Sequence, residues 1–208
     1  MMNYFYLLGF VALLTGCVST GGIPTSMKNV DPGTKVSWAG QSVKMFPSDK
    51  LKVGSPLPEF KVKNTGLKKE ALSNDGRVKI ISVVPSLDTP VCEIQTHDLA
   101  ESEIVFPTIQ RISVSMDLPF AQTRFIKESD LDEISYYSDY DGMEFGKSTG
   151  LLVPEKGLLA RAVIVVDGKG IVRYLQVVPE ITEKPNMNKA IEQANQIASE
   201  VPEELEKS

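Results

Sequence analysis

Residues 78–92 read Val78-Lys79-Ile80-Ile81-Ser82-Val83-Val84-Pro85-Ser86-Leu87-Asp88-Thr89-Pro90-Val91-Cys92. The first seven are rich in β-branched residues and long enough for a buried strand. Pro85 ends that strand, since proline has no N–H to give a ladder. A helical pattern starts near Pro90 and runs toward Glu103. Thr89 is placed to be its N-cap, and Pro90 falls at the first helical position, where a missing N–H costs nothing.

Working outward, Ile112 to Met116 reads as a second strand and Pro119 to Lys127 as a short helix. Ala162-Val163-Ile164-Val165-Val166 is apolar throughout, as expected of a central strand covered on both faces. Asp167-Gly168-Lys169-Gly170 then turns the chain into a strand over Ile171 to Val178. The two glycines are not a dinucleotide loop: a third glycine is missing, and a strand follows where that motif requires a helix. Met187 to Ser199 closes the series as an amphipathic helix. Upstream, Val36-Ser37-Trp38 and Val43-Lys44-Met45 flank Ala39-Gly40-Gln41-Ser42 and predict a small hairpin. The order βαβα, then a β-hairpin and a helix, predicts an α/β chain with the thioredoxin-like fold over residues 35–199, carrying an N-terminal β-hairpin extension.

The chain has 208 residues, enough for one domain plus tails. Its formal net charge is −5 and its pI is near 5.1, with no Lys/Arg cluster, so nucleic acid is not expected as a partner. There are two cysteines, Cys17 and Cys92, and one histidine, His97, too few for a four-thiolate or mixed zinc site. No metal or cofactor is expected.

The N-terminus reads as an address. Tyr4 to Leu14 is apolar but too short to span a bilayer, a length that suits the apolar region of a secretory signal. Leu14-Thr15-Gly16-Cys17 follows and resembles the bacterial lipobox, in which cleavage before the cysteine leaves it thioether-linked to diacylglycerol. Met1-Met2-Asn3 departs from the usual pattern in having no Lys or Arg. The competing reading is an N-terminal apolar helix with a buried cysteine. Residues 1–16 are thus expected to be a lipoprotein signal peptide. Cys17 is expected to be the lipidated residue, and residues up to 34, rich in Gly, Pro, Ser and Thr, a flexible tether. Residues 200–208 form an acidic tail. The domain is therefore expected in the cell envelope, anchored to a membrane on its extracytoplasmic face; the choice of inner or outer membrane stays open, with Val18 after the cysteine favouring the outer where the cell has one.

The chemistry concentrates at Cys92. It lies in the first helical turn, where unpaired backbone N–H groups and the helix dipole favour an anion. Such a setting makes a thiol easier to ionise, and the thiolate is the nucleophile. An inert buried cysteine is the competing reading; a capping threonine, a helix start and two flanking prolines speak against it. Arg161, at the entrance to the 162–166 strand, needs an anionic partner or a water-facing position, and taken alone is better read as one half of a surface ion pair. His97 lies about a turn and a half beyond Cys92 and faces away from it. Arg124 fits a solvated helix face.

Pro85-x-x-x-Thr89-x-x-Cys92 resembles the active-site signature of the peroxiredoxins. Asp117-Leu118-Pro119-Phe120-Ala121-Gln122-Thr123-Arg124-Phe125 and Lys156-Gly157-Leu158-Leu159-Ala160-Arg161-Ala162 are similar to the thiol peroxidase branch. The resemblance implies an enzyme that reduces hydrogen peroxide and organic hydroperoxides. In it, Cys92 is the peroxidatic cysteine, and the Thr89 hydroxyl contacts thiolate and peroxide. Pro85 shields the site from water, and Arg161 holds the thiolate and polarises the peroxide. It also implies a homodimer.

One position departs from that pattern. Many thiol peroxidases carry a resolving cysteine at the end of the Asp-Leu-Pro-Phe helix; here Ile126 stands there. The chain is therefore expected to work as a one-cysteine enzyme, its sulfenic acid reduced by an external thiol, either a thioredoxin-like protein or a small thiol. The alternative is a non-catalytic, membrane-tethered scaffold that keeps the fold. A thiol–disulfide oxidoreductase is disfavoured, because Ile94, Gln95 and Thr96 supply no second thiol after Cys92.

Overall fold

The computed structural model describes residues 22–72, 75–102 and 104–200. Two strands, β1 (Lys35–Trp38) and β2 (Gln41–Lys44), pair as the expected hairpin. Its two-residue loop, Ala39–Gly40, has positive φ at both positions (50° and 84°), the pattern of a turn whose twist matches the flanking strands. For Ala39 that conformation costs about 1–2 kcal/mol. Short strands β3 (Val62–Asn64) and β4 (Lys69–Glu70) follow. The signature segment becomes β5 (Lys79–Val83) and α1 (Pro90–Ala100), and then come β6 (Gln110–Ser115) and α2 (Pro119–Ser129). After these the chain makes β7 (Ser135–Ser138), α3 (Glu144–Thr149), β8 (Leu152–Val153) and β9 (Leu158–Leu159). It ends with β10 (Ala162–Val166), β11 (Val172–Val177) and α4 (Met187–Ser199).

Seven strands form one sheet in the order β11-β10-β5-β6-β7-β3-β4. Strands β5, β6 and β7 run parallel, while β10 is antiparallel to both β5 and β11. Alternation along each central strand divides the core between two faces. Ile81, Val83, Ile112, Val114, Ala162 and Ile164 pack toward the β1–β2 hairpin and Phe145. Ile80, Val163 and Val165 pack toward Leu99, Ala190, Ile191 and Ala194 of the helices. With both faces covered, β5 and β10 are buried at every position, which is why their sequences do not alternate. This is the expected α/β, thioredoxin-like architecture with its N-terminal hairpin, and the helix and strand limits agree closely at β10 and α4.

Other segments depart from the expectations or carry none. Residues 127–161 hold β7, α3 and the β8–β9 hairpin, none of which announces itself by period. The six-residue α3 is started by Asp139, whose carboxylate accepts the N–H groups of Phe145 (2.9 Å) and Gly146 (2.8 Å). Part of the expected tether is docked on the domain. From Pro24 onward the chain lies along β11: Thr25 bridges Lys184, Val30 N–H donates to Val177 O (3.1 Å), and Gln176 Nε2 donates to the carbonyls of Ser26 (2.9 Å) and Lys28 (3.0 Å). Glycine and proline weaken a segment's own structure, but an unpaired strand edge offers fixed hydrogen-bond partners, and here those partners prevail. The signal segment, Cys17 and residues 201–208 of the tail lie outside the described residues.

Candidate active site

Strand β5 delivers the chain at the carboxyl edge of the sheet to Pro85, which is buried. The loop that follows is tied to the β6–α2 junction by one carboxylate. Asp117 accepts the Ser86 hydroxyl (2.7 Å) on Oδ1 and the Leu87 N–H (2.7 Å) on Oδ2. Thr89 is the N-cap residue by position, with extended backbone (φ −131°, ψ 142°), but its side chain does not cap the helix. Its hydroxyl donates instead to Ser86 O at 3.3 Å, and the residue is exposed at the outer side of the loop.

Cys92 falls in the first turn of α1 and is fully buried, at 0% exposure. Arg161, immediately before β10, is also buried, at 2% exposure. The two meet although they are 69 positions apart: Nη2 of Arg161 donates to Sγ of Cys92 at 3.3 Å. Sheet register explains the meeting. Ala162 is paired with Val83, so Arg161 stands beside the end of β5, where the chain turns toward Cys92.

The guanidinium is held at two other points. Nε donates to the carbonyl of Ile181 (2.9 Å), and Nη1 donates to Oε1 of Gln95 (2.7 Å). Gln95 is anchored in turn, its amide donating to the Ser82 hydroxyl at 2.8 Å. Both fixed partners are neutral. No carboxylate bonds Arg161 among the described residues, so the sulfur of Cys92 is the group that can complement its charge. Burial draws the Arg161 guanidinium below its ordinary value, and the neighbouring Cys92 opposes that pull. The arrangement sets a fixed guanidinium N–H against the sulfur, the atom of a cysteine that can act as a nucleophile.

Of the four residues expected to form the site, Cys92 and Arg161 are in contact, and Pro85 and Thr89 line the loop beside them. The structure adds three that sequence reasoning passed over: Gln95, Asp117 and the Ile181 carbonyl. Gln95 stands three positions after Cys92, on the same helix face, so its polarity on a buried face was a readable signal. The Ile181 contribution is a backbone atom and leaves no mark in the sequence. Arg124 makes only a 3.8 Å exposed pair with Asp88, and His97 bonds Glu101 (2.7 Å) on the outer face of α1. Ile126 is half-buried against the helical side of the core. Cys92 is the free cysteine of the described residues, which hold no cluster of potential metal ligands.

Comparison with known proteins identifies the family. The family model described as Redoxin matches residues 52–191, a span that includes Pro85, Thr89, Cys92 and Arg161. The thiol peroxidase of Clostridium acetobutylicum is 39% identical over 162 residues, covering 77% of this chain and 97% of its own. That of Bacillus subtilis is 39% identical over 163 residues, covering 78% and 93%. Among solved structures, a peroxiredoxin-like protein from Aquifex aeolicus superposes with a TM-score of 0.74 at 35% identity, over 81% of this chain and 99% of its own. The thiol peroxidase of Chromobacterium violaceum shares the fold, with a TM-score of 0.68 at 22% identity over 79% and 97% of the two chains. The chain belongs to the Redoxin family, and within it to the thiol peroxidases, enzymes of the peroxiredoxin kind that reduce peroxides at the expense of thiols.

Proposed function

We propose that Cys92 is the nucleophile of a one-cysteine thiol peroxidase anchored by lipid to the extracytoplasmic face of a membrane. The observation that carries the reading of the site is the buried guanidinium of Arg161 at 3.3 Å from Cys92 Sγ, its other partners among the described residues being the neutral Ile181 carbonyl and Gln95 amide. Ionised Cys92 attacks one oxygen of hydrogen peroxide or an organic hydroperoxide, and the O–O bond breaks. The departing oxygen takes a proton and leaves as water or alcohol, while the sulfur becomes a sulfenic acid. Arg161 stabilises the thiolate and then the charge that grows on the oxygens. Thr89, on the outer side of the loop, is available to hydrogen-bond the incoming peroxide, and buried Pro85 keeps water from the sulfur.

Ile126 leaves no thiol at the position of a resolving cysteine. An external thiol therefore attacks the sulfenic acid, expelling water and forming a mixed disulfide. A second thiol releases Cys92 and carries away the disulfide. A thioredoxin-like protein or a small thiol can serve. Membrane attachment rests on the Leu14-Thr15-Gly16-Cys17 resemblance, with Cys17 lipidated. A homodimer is supported by the family resemblance and by Leu118 and Phe120, which stand exposed at the start of α2. The deciding experiment is peroxide consumption with a generic dithiol, for the wild type beside Cys92→Ser. Abolished turnover in a folded variant is expected; appreciable turnover without the sulfur would remove the basis of the proposal.

A further inference from the structure

Arg161 is aimed by the Ile181 carbonyl, yet Ile181 lies in an irregular stretch between β11 and α4. The β1–β2 hairpin holds that stretch from one side. Ser37 N–H donates to Pro179 O (2.7 Å) and Ile181 N–H donates to Ser37 O (3.0 Å). Between these two peptides sits the Glu180 carboxylate, which gathers five donors. Ser37 Oγ, the N–H of Ala39 (3.1 Å) and the N–H of Gly40 (3.2 Å) reach it from the hairpin. The N–H (3.2 Å) and the hydroxyl (3.1 Å) of Thr182 reach it from its own loop. On the far side, Lys184 is pinned by Pro24 and Ser26 of the N-terminal segment and by Asp98 of α1, 2.6 Å from its Nζ. Burial pushes the Glu180 carboxyl up, but the donors outweigh it and hold it below the usual carboxylate range.

We propose that Glu180 is a positioning residue of the peroxidase reaction: it locks the hairpin turn to the Ile181 peptide, so that the Ile181 carbonyl fixes Arg161 Nε and turns Nη2 toward Cys92. A guanidinium is planar and its donors form a rigid fork, so fixing Nε sets the direction of Nη2. Misplacing a reacting group by an ångström can cost about 100-fold in rate. The same bonds explain the hairpin's unusual Ala39, since the N–H groups exposed by two successive positive φ values point at one carboxylate. The inference rests on the assignment of Cys92 and Arg161 above.

The test measures the second-order rate of Cys92 oxidation by hydrogen peroxide, using full-length protein shown to be folded by circular dichroism. Glu180→Ala and Glu180→Gln are made in the wild type, and Glu180→Ala also in an Arg161→Met background. Glu180→Ala is expected to slow oxidation by about 10-fold or more. Glu180→Gln, which keeps one acceptor oxygen, should fall in between. In the Arg161→Met background Glu180→Ala should add less than about two-fold, because a residue that acts through Arg161 has nothing left to position. Should Glu180→Ala fail to fold, Ser37→Ala removes one donor and should slow the wild type several-fold but not the Arg161→Met protein. Equal losses in both backgrounds, or a Glu180→Ala rate within two-fold of wild type, overturn the inference while leaving the site assignment intact. An Arg161→Met protein as fast as wild type overturns both.

Discussion

Replacing Arg161 with methionine tests the centre of the site. The variant keeps an unbranched side chain that fills much of the same space. It loses the bonds to Cys92 Sγ (3.3 Å), Gln95 Oε1 (2.7 Å) and Ile181 O (2.9 Å). At the Cys92 distance of 3.3 Å two unit charges attract by about 5 kcal/mol, taking an effective dielectric near 20. Part of that is spent on desolvation. Loss of a single preorganised donor at a developing anion costs about 3–4 kcal/mol in measured cases, or roughly 100- to 1,000-fold in rate. Stability should move far less. Two orphaned acceptors cost about 1–3 kcal/mol each, whereas removing a buried cation returns a desolvation penalty of several kcal/mol. Arg161→Met should therefore unfold in denaturant within about 2 kcal/mol of the wild type, while its peroxide reaction falls by two to three orders of magnitude. A folded variant reacting within ten-fold of wild type would show that the guanidinium does not activate the sulfur.

Three further outcomes are expected. One equivalent of peroxide should give a dimedone-reactive protein with no disulfide inside one chain, and excess peroxide without reductant should drive Cys92 to sulfinic acid and end activity. Ile126→Cys should resist that loss by trapping the sulfenic acid as a disulfide; an intramolecular disulfide in the wild type would contradict the one-cysteine cycle. Fractionated cells should hold the mature protein in membranes, released by detergent and not by salt, and Cys17→Ala should abolish the association. Wild-type protein wholly in the soluble fraction and free of acyl groups would refute the anchor. Burial pushes the Asp139 carboxyl up to about 6, outweighing the N–H groups of Gly146 and Phe145. A folded value above the unfolded one means that Asp139 contributes stability below its ordinary value of 3.8 and loses it as pH rises through about 6. Relative to Asp139→Asn, the wild type should gain up to roughly 3 kcal/mol between pH 7 and pH 4 in denaturant titrations. A difference that does not change with pH would count against this.

What the sequence discloses depends on how far each decision is local. Strand β10 is readable because burial on both faces demands an unbroken apolar run, β5 because of its β-branched content and the proline after it, and α1 because Thr89 and Pro90 mark its start. Strand β7, Ser-Tyr-Tyr-Ser, is too short and polar to show a period, and α3 is started by Asp139, a capping group outside the helix itself. Within the site, Cys92 is legible from its helix position. Arg161 is legible only through the family motif, because its partner is set by the pairing of Ala162 with Val83. The Thr89 position is correct but its hydroxyl is turned to Ser86, a choice made by loop geometry that Asp117 imposes from another segment. Residues 24–30 mislead by composition, since what orders them is the neighbouring strand.

That docked segment also decides how copies of the chain can meet. A sheet of this size has two margins, and each is a template on which another molecule's backbone can continue the ladder. At one margin, Val177 already exchanges hydrogen bonds with Val30 and Asn29, and Leu175 O accepts from Asn29, so the template is filled from within the chain. At the other, β4 is two residues long, Lys69–Glu70, and both are charged. Both margins, as described, are thereby poor templates for strand-to-strand growth. A protein crowded with its own copies is less open to the polymerisation that bare sheet edges invite.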